Sequence, residues 1–451
     1  MVTRTQLARL GLFDAKVPRY TSYPTAPHFG GGVGESQVDQ WIRAIPEGAR
    51  ISLYVHVPFC RRLCWFCACR TQGTKTGAPV AGYVETLKAE LAALKTRLPR
   101  GVRLSRLHWG GGTPTLLSPD QIRDLADSIR DVADFAEGAE FSIEIDPNEV
   151  DAERVTALAA SGMTRASIGV QDFDAEIQKA IGRIQGYDLT RRTIDMLRDA
   201  GIQSLNADIL YGLPHQTRAR VTTSVQKLLS FAPDRVALYG YAHVPWMAKR
   251  QQMIPSDALP TPQERLDLFE TARKLFLWDG YDEVGIDHFA LPQDGLAVAQ
   301  RAGTLRRNFQ GYTDDTADVL IGVGASSISR FPQGFAQNDP RTSGYAQAVA
   351  NGALPIVRGH VFAGQDRLRA RMIEALMCDF RISTTEIHET FGIPVPELAT
   401  WFARINRQFE GLLNVTEDGV FVPGPVRPLL RMIARELDAY DLSKAGHSSA
   451  I

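Results

Sequence analysis

The chain is poor in cysteine, has no excess of charge of either sign and contains no long apolar run. Its 451 residues include five cysteines, and 50 basic side chains against 51 acidic ones give a formal net charge of -1. The balanced charge argues against a nucleic-acid-binding protein. The lack of a signal-type N-terminal core and of any run long enough to span a bilayer predicts a cytoplasmic protein that does not enter a membrane. The length suits one large domain and a smaller one.

Four of the five cysteines lie within one decapeptide, Cys60-Arg-Arg-Leu-Cys64-Trp-Phe-Cys67-Ala-Cys69. Such a group can form disulfides, bind zinc or bind an iron–sulfur cluster. Disulfides fit poorly, because the partners would pair within a tight loop of a chain without secretory features. Structural zinc sites usually take two separated ligand pairs, and no second pair follows at a suitable distance. The spacing Cys-x3-Cys-x2-Cys favours a cubane cluster with one iron free of protein ligands, although spacing alone leaves zinc open.

Short apolar strands alternate with amphipathic helices between residue 49 and about residue 290, which is typical of repeated βα units and a parallel sheet. The predicted strands are 51–57, 104–109, 140–146, 165–170, 204–210 and 235–241, and the predicted helices lie near 80–98, 118–135, 151–161, 187–200, 216–231 and 262–279. Six units are fewer than the eight of a closed barrel, so we predict an α/β fold with an open, partial (β/α)6 TIM-like barrel over residues 49–290. The cysteine decapeptide follows the first strand at its C-terminal end, where such barrels gather their chemistry.

Residues 1–48 are predicted to form a leader with little regular structure, because prolines and a glycine cluster interrupt them. Two tyrosines, a phenylalanine and Arg19 in this leader indicate that it docks on the rest of the protein.

The chain after the barrel is predicted to fall into two parts. A strand over residues 284–289 leads into residues 291–361, which extend the barrel. Within them the glycine- and serine-rich stretch 320–329 fits no nucleotide-binding fingerprint, and we interpret it as a tight turn between packed elements. Residues 362–451 form a smaller, mostly helical domain with a hairpin turned by an Asp-Gly pair, for which a winged-helix-like shape is one interpretation.

Alternation along the strands places polar side chains together on one face of the sheet. The sets are Ser52, Tyr54 and His56 on the first strand, Ser142, Glu144 and Asp146 on the third, and Asn206 and Asp208 on the fifth. We predict that these faces point into the barrel, because burying such groups without partners is costly. For each residue alone, a satisfied interior hydrogen bond explains its position as well as a ligand contact does; several of them near the cysteines favour ligand contacts.

The cysteine spacing, the aromatic Phe66 before the third cysteine and the strand before the loop resemble the radical S-adenosylmethionine (SAM) enzymes. The extra Cys69 and the sequences of several segments are similar to those of one branch of these enzymes, the oxygen-independent coproporphyrinogen III oxidase family. These segments are Ser142–Glu149, Ser167–Phe173, Asp208–Pro214, Gly285–Ala290 and Asn308–Thr313. The resemblance implies that Cys60, Cys64 and Cys67 ligate a [4Fe-4S] cluster, and that Cys69 lies close by without ligating it.

The resemblance also implies contacts for two SAM molecules. The cluster-bound SAM would be contacted by Tyr54, Gly111 and Glu144, and Gly111 lies in a run of three glycines that lets a ligand approach the backbone. The second SAM would be contacted by Phe66, Gly112, Thr113, Gln171, Arg183, Asp208, Ala242 and Ile328. The candidate catalytic residues are Tyr54, Glu144, Phe309 and Gln310, the last two placed near the active site by the same resemblance.

The reaction that the resemblance implies is the anaerobic conversion of coproporphyrinogen III to protoporphyrinogen IX in haem biosynthesis. A 5′-deoxyadenosyl radical, formed when the reduced cluster passes an electron to SAM, removes a hydrogen from the β-carbon of a propionate. Loss of CO2 and one electron then leaves a vinyl group, and two such rounds suit two SAM molecules. The implied partners are the substrate and an electron-donating flavodoxin- or ferredoxin-type protein, and the implied state is a monomer. The leader would lie across the active site, where Arg19 could hold a substrate carboxylate.

Other functions are compatible with part of this pattern. A haem-binding chaperone on the same scaffold usually lacks the fourth close cysteine and the tyrosine-proline leader, and this chain has both. A haem-modifying radical SAM enzyme should differ at the second SAM site, where the sequence shows no departure. If the chain were a zinc-stabilised α/β binding protein, the likeness of its Glu144, Gln171 and Asp208 segments to this family would be a coincidence.

Overall fold

Strands and helices alternate along most of the chain in the computed structural model, which describes residues 2–441 and 448–451. The strands are β1 (Arg50–Val57), β2 (Phe59–Cys60), β3 (Gln72–Gly73), β4 (Arg103–Gly111), β5 (Asp134–Ile145), β6 (Arg165–Gln171), β7 (Ser204–Tyr211), β8 (Arg235–Gly240), β9 (Asp282–Val284), β10 (His288–Ala290), β11 (Arg306–Asn308), β12 (Gly311–Thr313), β13 (Leu320–Val323), β14 (Ile328–Phe331), β15 (Gly334–Asn338), β16 (Ile356–Val361), β17 (Arg381–Ser383), β18 (Asn414–Thr416) and β19 (Gly419–Phe421). The helices are α1 (Arg4–Arg9), α2 (Glu35–Arg43), α3 (Ala78–Lys95), α4 (Pro119–Val132), α5 (Ala152–Ala160), α6 (Ala175–Ala180), α7 (Tyr187–Asp199), α8 (Arg218–Leu229), α9 (Pro262–Trp278), α10 (Gly295–Ala302), α11 (Thr342–Ala350), α12 (Asp366–Asp379), α13 (Thr384–Phe391), α14 (Val395–Gln408) and α15 (Leu430–Arg435). Short 3₁₀ helices are Ala26–His28, Pro114–Leu116, Pro147–Glu149, Lys249–Met253, Ser256–Ala258 and Gly424–Leu429.

Parallel strands form the centre of the molecule, in the order β13-β1-β4-β5-β6-β7-β8. Helices between successive strands bury their apolar faces, for example Leu87 of α3 and Leu125 of α4, in one core with the side chains of the sheet. The predicted α/β fold with a partial, open TIM-like barrel is confirmed, and each of the six predicted strands is present. The C-terminal ends of these strands share one edge, as parallel pairing requires.

The predicted tight turn within residues 320–329 is present, but the strands β13 and β14 on either side of it were not predicted. β13 pairs in parallel with β1, with Ile321 opposite Leu53. The turn comes afterwards, at Gly324 with a φ of +100°, before β14 runs back antiparallel. Three apolar residues and one glycine make β13 too short for alternation to reveal it, yet the strand buries Ile321 and Val323 in the main core.

The predicted strand over residues 284–289 is in fact two strands. β9 and β10 form an antiparallel hairpin beside β8, at the edge of the sheet. Gly285 has a φ of +55°, and a Cβ atom there would lie 2.0 Å from the ring of Tyr312. The chain therefore turns at a position that only glycine fits. The sequence around this position is largely apolar, so its pattern does not reveal the turn.

The leader contains two helices, so the prediction of little regular structure was wrong for these segments. α1 begins with a capping box in which Thr3 and Gln6 hydrogen-bond reciprocally. α2 buries Val38, Trp41 and Ile42 in the main core. Three of the leader's prolines, Pro18, Pro24 and Pro27, lie between the two helices, and Pro46 follows the second one.

A second core joins the leader to the C-terminal part of the chain. It contains Leu12 and Val17 of the leader together with Met372 of α12 and Leu430 of α15. A small sheet in the order β17-β19-β18 packs with these helices. The predicted domain boundaries at residues 48, 290 and 361 and the winged-helix-like interpretation stay predictions. Across the part of the chain that the structure describes, no helix combines the length and the apolar character that crossing a membrane requires.

Candidate active site

The cysteine loop leaves the C-terminal end of β1 and folds back on itself. β2 and β3 pair in parallel and close the loop. The backbone amide of Trp65 ties its middle to the barrel by donating to the carbonyl of Ile181 at 2.9 Å. The cysteines of the loop are free thiols, and Cys60, Cys64 and Cys67 are half-buried. The loop therefore places three thiols at the edge where the strands end.

The sulfurs of the cysteine loop differ in their hydrogen bonds and in the charges near them. The hydrogen bond between the thiols of Cys67 and Cys69 lowers the pKa of Cys67 to about 6, and the Cys69 amide donates to the same sulfur at 3.4 Å. Burial raises the pKa of Cys60 to about 11. Burial also raises the pKa of Cys64, against the opposing charge of Arg183, whose Nη1 lies 3.7 Å from the Cys64 sulfur. Thiolates are the form that binds metal, and donors to sulfur help to hold it in place.

The three cysteines of the loop could together hold an iron–sulfur cluster. Three half-buried thiols on one loop, with an amide and a guanidinium donating to their sulfurs, suit a larger group held by three cysteines.

The glycine run at the end of β4 packs against the base of the cysteine loop. The amide of Gly112 donates to the carbonyl of Val57 at 2.8 Å, and the amide of Thr113 donates to that of Phe59 at 2.8 Å. A Cβ atom at Gly112 would lie 2.5 Å from the Phe59 carbonyl oxygen. Gly111 has a φ of +106°, and a Cβ atom there would meet the ring of His56 at 2.3 Å. Only glycine allows this close approach of two backbones.

Glu144 is held in its ionised form beside this glycine run. Its carboxylate accepts from the Gly111 amide at 3.0 Å and faces Nε2 of His108 at 3.4 Å. Burial acts to raise the pKa of Glu144, but His108 and the Gly111 amide together hold it below its usual value. The side chain is nevertheless 42% exposed, so one side of the carboxylate stays open toward the interior of the barrel. An ionised carboxylate with an open side suits a cationic ligand.

The predicted polar face of β1 is confirmed by contacts between its residues. The hydroxyl of Tyr54 lies 3.0 Å from Nδ1 of His56, and Nε2 of His56 lies 3.2 Å from the carbonyl oxygen of Arg70 in the cysteine loop. The ring of Tyr54 stacks on that of His108 with 5.7 Å between centroids. Tyr54 therefore stands beside the pair of His108 and Glu144.

Asp208 lies on β7 and has few partners. Nδ2 of Asn206 donates to its carboxylate at 2.9 Å, which confirms that the two side chains share a face. Burial, followed by the charge of Glu144, raises the pKa of Asp208 to about 6. A carboxyl group whose pKa is raised by burial and a neighbouring charge marks a candidate binding group.

Arg183 connects β6 to the cysteine loop. Its Nη2 donates to the Gly169 carbonyl at 3.0 Å. Its Nη1 lies 3.2 Å from the carboxylate of Asp146 and 3.7 Å from the Cys64 sulfur. Gln171 ends β6 with a φ of +69°, in the left-handed region that non-glycine residues rarely adopt. Backbone strain of this kind gathers at binding sites.

Three predicted residues lie on other elements. Phe309 and Gln310 form the turn between β11 and β12, with Phe309 in edge contact with the ring of Phe335 at 5.7 Å and Gln310 exposed. Ile328 begins β14, which pairs with β13. Among the described residues, no hydrogen bond or ring contact joins these three to the cysteine loop, and their roles stay predictions.

Comparison with known proteins decides which family this site belongs to. A sequence profile of the Radical SAM superfamily matches residues 54–228. The chain is 62% identical over 451 residues, 100% of each protein, to the oxygen-independent coproporphyrinogen III oxidase of Paracoccus denitrificans (strain Pd 1222). It is 37% identical to the protein of the same name from Escherichia coli (strain K12), over 97% of this chain and 96% of the other. The solved structure of coproporphyrinogen III oxidase from Escherichia coli, described as a radical SAM enzyme, matches with a TM-score of 0.89 at 35% identity, over 95% of this chain and 100% of that one.

The chain belongs to the oxygen-independent coproporphyrinogen III oxidase family. As a member of this family it is a radical SAM enzyme, and the radical SAM superfamily implies a [4Fe-4S] cluster and SAM. This membership favours the cluster over the zinc interpretation of the cysteine loop. It does not favour the haem-carrier alternative.

One residue that organises the site of this family member carries no sequence pattern that would identify it. Gln251 is fully buried, and its Nε2 donates to the carbonyls of Phe66 at 2.7 Å and Ala242 at 3.0 Å. Its Oε1 accepts from the amide of Val244 at 2.6 Å. Gln251 thereby joins two predicted SAM contacts from distant parts of the chain. It lies in a polar stretch that matches no motif, and only its burial reveals its role.

Proposed function

We propose that this enzyme oxidatively decarboxylates two propionate side chains of coproporphyrinogen III to vinyl groups, giving protoporphyrinogen IX in haem biosynthesis. The observation that carries this proposal is the 62% identity over 100% of both chains to a protein named oxygen-independent coproporphyrinogen III oxidase. The matched length covers the barrel, the leader and the C-terminal part, and not only the cysteine loop.

Cys60, Cys64 and Cys67 are the proposed ligands of the cluster, and Tyr54, Gly111 and Glu144 the proposed contacts of its SAM. When bound, these cofactors supply the electron transfer and the 5′-deoxyadenosyl radical that removes the substrate hydrogen. The ionised Glu144 would hold the cationic amino group of SAM, and the Gly111 amide fixes the Glu144 carboxylate in position.

A second SAM is proposed for the neighbouring group of residues. Its contacts would be Phe66, Gly112, Thr113, Gln171, Arg183, Asp208, Ala242 and Ile328. Support comes from Gln251, which joins Phe66 to Ala242, and from Arg183, which lies next to Gln171 at Gly169. Two SAM molecules suit two successive decarboxylations.

The remaining assignments are part of the same proposal. Phe309 and Gln310 are proposed to act near the substrate, since the following Gly311 lies close to the interior residues Tyr239 and His288. A flavodoxin- or ferredoxin-type protein would donate the electron, and the enzyme would work as a monomer. A reducing compartment such as the cytoplasm suits its free cysteines.

The deciding experiment is an anaerobic assay of the reconstituted enzyme with dithionite, SAM and coproporphyrinogen III. We expect protoporphyrin and 5′-deoxyadenosine together, and the loss of both in Cys64→Ser. Cys378→Ser is the matched control, because Cys378 is buried in a separate part of the chain and should leave both products unchanged.

Two outcomes would redirect the proposal. Formation of 5′-deoxyadenosine without vinyl product would leave the radical chemistry in place and overturn the substrate, and haem would be tested next. If neither product formed in a protein shown to hold its iron, a carrier function would replace catalysis.

A further inference from the structure

Three segments that contact one another around the cysteines contain no acidic residue. They are residues 58–77, which hold the cysteine loop, residues 179–187, which begin in α6, and residues 243–256, which follow β8. Their basic side chains are Arg61, Arg62, Arg70, Lys75, Lys179, Arg183, Lys249 and Arg250. Since the whole chain has a formal net charge of -1, this concentration of cations is local.

Hydrogen bonds hold the other two segments against the cysteine loop. The amide of Trp65 donates to the carbonyl of Ile181 at 2.9 Å. Nη2 of Arg250 donates to the hydroxyl of Thr71 at 2.9 Å and to its carbonyl at 3.3 Å. The three segments therefore form one surface, the loop face, around the cysteines.

Most cations of the loop face have no carboxylate partner. Arg61 lies 3.9 Å from Glu149, and Arg183 lies 3.2 Å from Asp146. Within residues 2–441 and 448–451, the other cations of the face form no ion pair, and all of them except Arg250 are exposed. Exposed charges of one sign, close together, attract a partner of the opposite sign.

Large apolar side chains are exposed on the same face. Trp246, Met247, Met253 and Ile184 are each more than half exposed, and Leu63 of the cysteine loop is exposed as well. They are five of the twelve exposed large apolar side chains in the described part of the chain, although the three segments make up only about a tenth of its length. Apolar side chains surrounded by charge are typical of protein interaction sites.

The position of the loop face indicates what kind of protein it contacts. The base of the cysteine loop packs against Gly112 and Thr113, so its exposed residues are those that another protein can reach. Under the proposed function, a cluster on the half-buried cysteines of this loop receives single electrons from outside the chain. A carrier on the loop face would approach the cluster without entering the barrel.

We propose that the loop face is the docking site of an acidic protein that carries single electrons. This inference rests on the proposed function for the need of an electron. The carrier is oxidised by one electron and the cluster is reduced by the same electron, and no proton or chemical group is transferred. The cations attract the carrier, and the apolar side chains supply contact area. Transient complexes of redox proteins bury less than about 1,200 Å², which suits a face made of three short segments.

The test is binding of an acidic, oxidised flavodoxin to the enzyme holding its cluster, measured by calorimetry at low ionic strength. We expect Lys249→Glu and Arg62→Glu each to weaken binding by roughly tenfold, because each places a negative charge opposite acidic groups of the partner. Arg103→Glu is the matched control. Arg103 is exposed at the start of β4, at the opposite end of the strands from the cysteine loop, and its replacement should change the affinity by less than about twofold.

Salt and an apolar variant test the two parts of the face separately. Raising the ionic strength from about 0.02 M to about 0.5 M should weaken flavodoxin binding to the unchanged protein, because salt screens exposed charges. Met253→Ser should weaken binding by roughly fivefold and leave its salt dependence unchanged, since it removes apolar contact area and no charge.

The choice of reductant separates docking from damage to the cluster. With limiting reduced flavodoxin, Lys249→Glu should form 5′-deoxyadenosine roughly tenfold more slowly than the unchanged protein. With dithionite, a small reductant that needs no docking surface, the two proteins should form it at equal rates and hold equal iron. Lys249 lies outside the cysteine loop, so its replacement leaves the proposed ligands in place.

Each contrary result has its own meaning. Equal flavodoxin binding by Lys249→Glu, Arg62→Glu and Arg103→Glu would overturn this inference and leave the proposed function standing. Binding of neither flavodoxin nor an acidic ferredoxin by the unchanged protein would overturn it as well. Weaker coproporphyrin binding by the first two variants, with flavodoxin binding unchanged, would assign the face to attraction of the anionic substrate. Absence of vinyl product with dithionite, in a protein that binds flavodoxin as described, would overturn the proposed function and not the docking site.

Discussion

The backbone amide of Gly111 donates to Oε2 of Glu144 across 3.0 Å, and this bond joins the ends of β4 and β5 at the edge where the cysteine loop begins. The same carboxylate faces His108, so its charge is stabilised on one side and open on the other. The glycine run therefore shapes the site in two ways: it lets backbones approach closely, and it supplies an amide that orients a carboxylate.

Glu144→Gln should lower the affinity of the reconstituted enzyme for SAM by about tenfold or more, because an amide cannot pair with a cationic amino group. Equilibrium dialysis with labelled SAM measures this directly. Glu85→Gln, on the exposed side of α3, is the control and should bind SAM as the unchanged protein does. Unchanged SAM binding in Glu144→Gln would remove Glu144 from the proposed contacts.

Asp208→Asn should reduce the number of SAM molecules bound from two to one. Asp208 is half-buried with one hydrogen bond from Asn206, and its pKa of about 6 leaves it mostly ionised at neutral pH, ready for a cationic ligand. Lowering the pH through about 6 should weaken the same binding event in the unchanged protein, since protonation removes the charge. A stoichiometry of one in the unchanged protein would contradict the second SAM site.

Gln251→Leu should destabilise the protein by about 3 kcal/mol, because it leaves the carbonyls of Phe66 and Ala242 without their donor. Chemical denaturation monitored by circular dichroism measures the free energy of unfolding. The neighbouring Gln252 is exposed, and Gln252→Leu should change that free energy by less than about 0.5 kcal/mol. Equal effects of the two substitutions would show that Gln251 has no special bridging role.

The carboxyl group of Glu90 should make the stability of the folded protein depend on pH. It is buried on α3, where it accepts from the Gly324 amide and the Tyr345 hydroxyl, and burial raises its pKa from 4.5 to about 7. Since the folded protein holds this proton more tightly than the unfolded chain, the contribution of Glu90 is fully present below pH 4.5 and is lost as the pH rises through about 7. The loss amounts to about 3 kcal/mol at most, at ~1.4 kcal/mol for each pKa unit.

Glu90→Gln checks this dependence. The amide does not titrate, so the variant should gain stability relative to the unchanged protein as the pH is raised from about 5 to about 8. Urea denaturation at several pH values measures the difference. Parallel stability curves for the two proteins over this range would show that Glu90 does not titrate as described.

The barrel could be predicted from the sequence because each βα unit repeats the same alternation of short apolar strands and amphipathic helices. The cysteine loop and the faces of Tyr54 and Asp208 followed from spacing and strand periodicity alone. β13 was not predicted because three apolar residues with a glycine among them carry too little periodicity to separate a strand from a turn. The role of Gln251 could not be predicted for a different reason, since it depends on burial and on hydrogen bonds to two carbonyls that are distant in sequence.

The contact between the leader and residues 448–450 bears on how the molecule is completed during synthesis. Lys16 bridges to Ser449 in antiparallel fashion, and the Ala450 amide donates to the Ala15 carbonyl at 2.8 Å. The leader leaves the ribosome first, yet its partner segment is made only after the whole barrel. Contacts between residues so distant in sequence form late, because a long loop must be ordered before they form. We therefore expect the packing of the leader on residues 448–450 to form after the barrel.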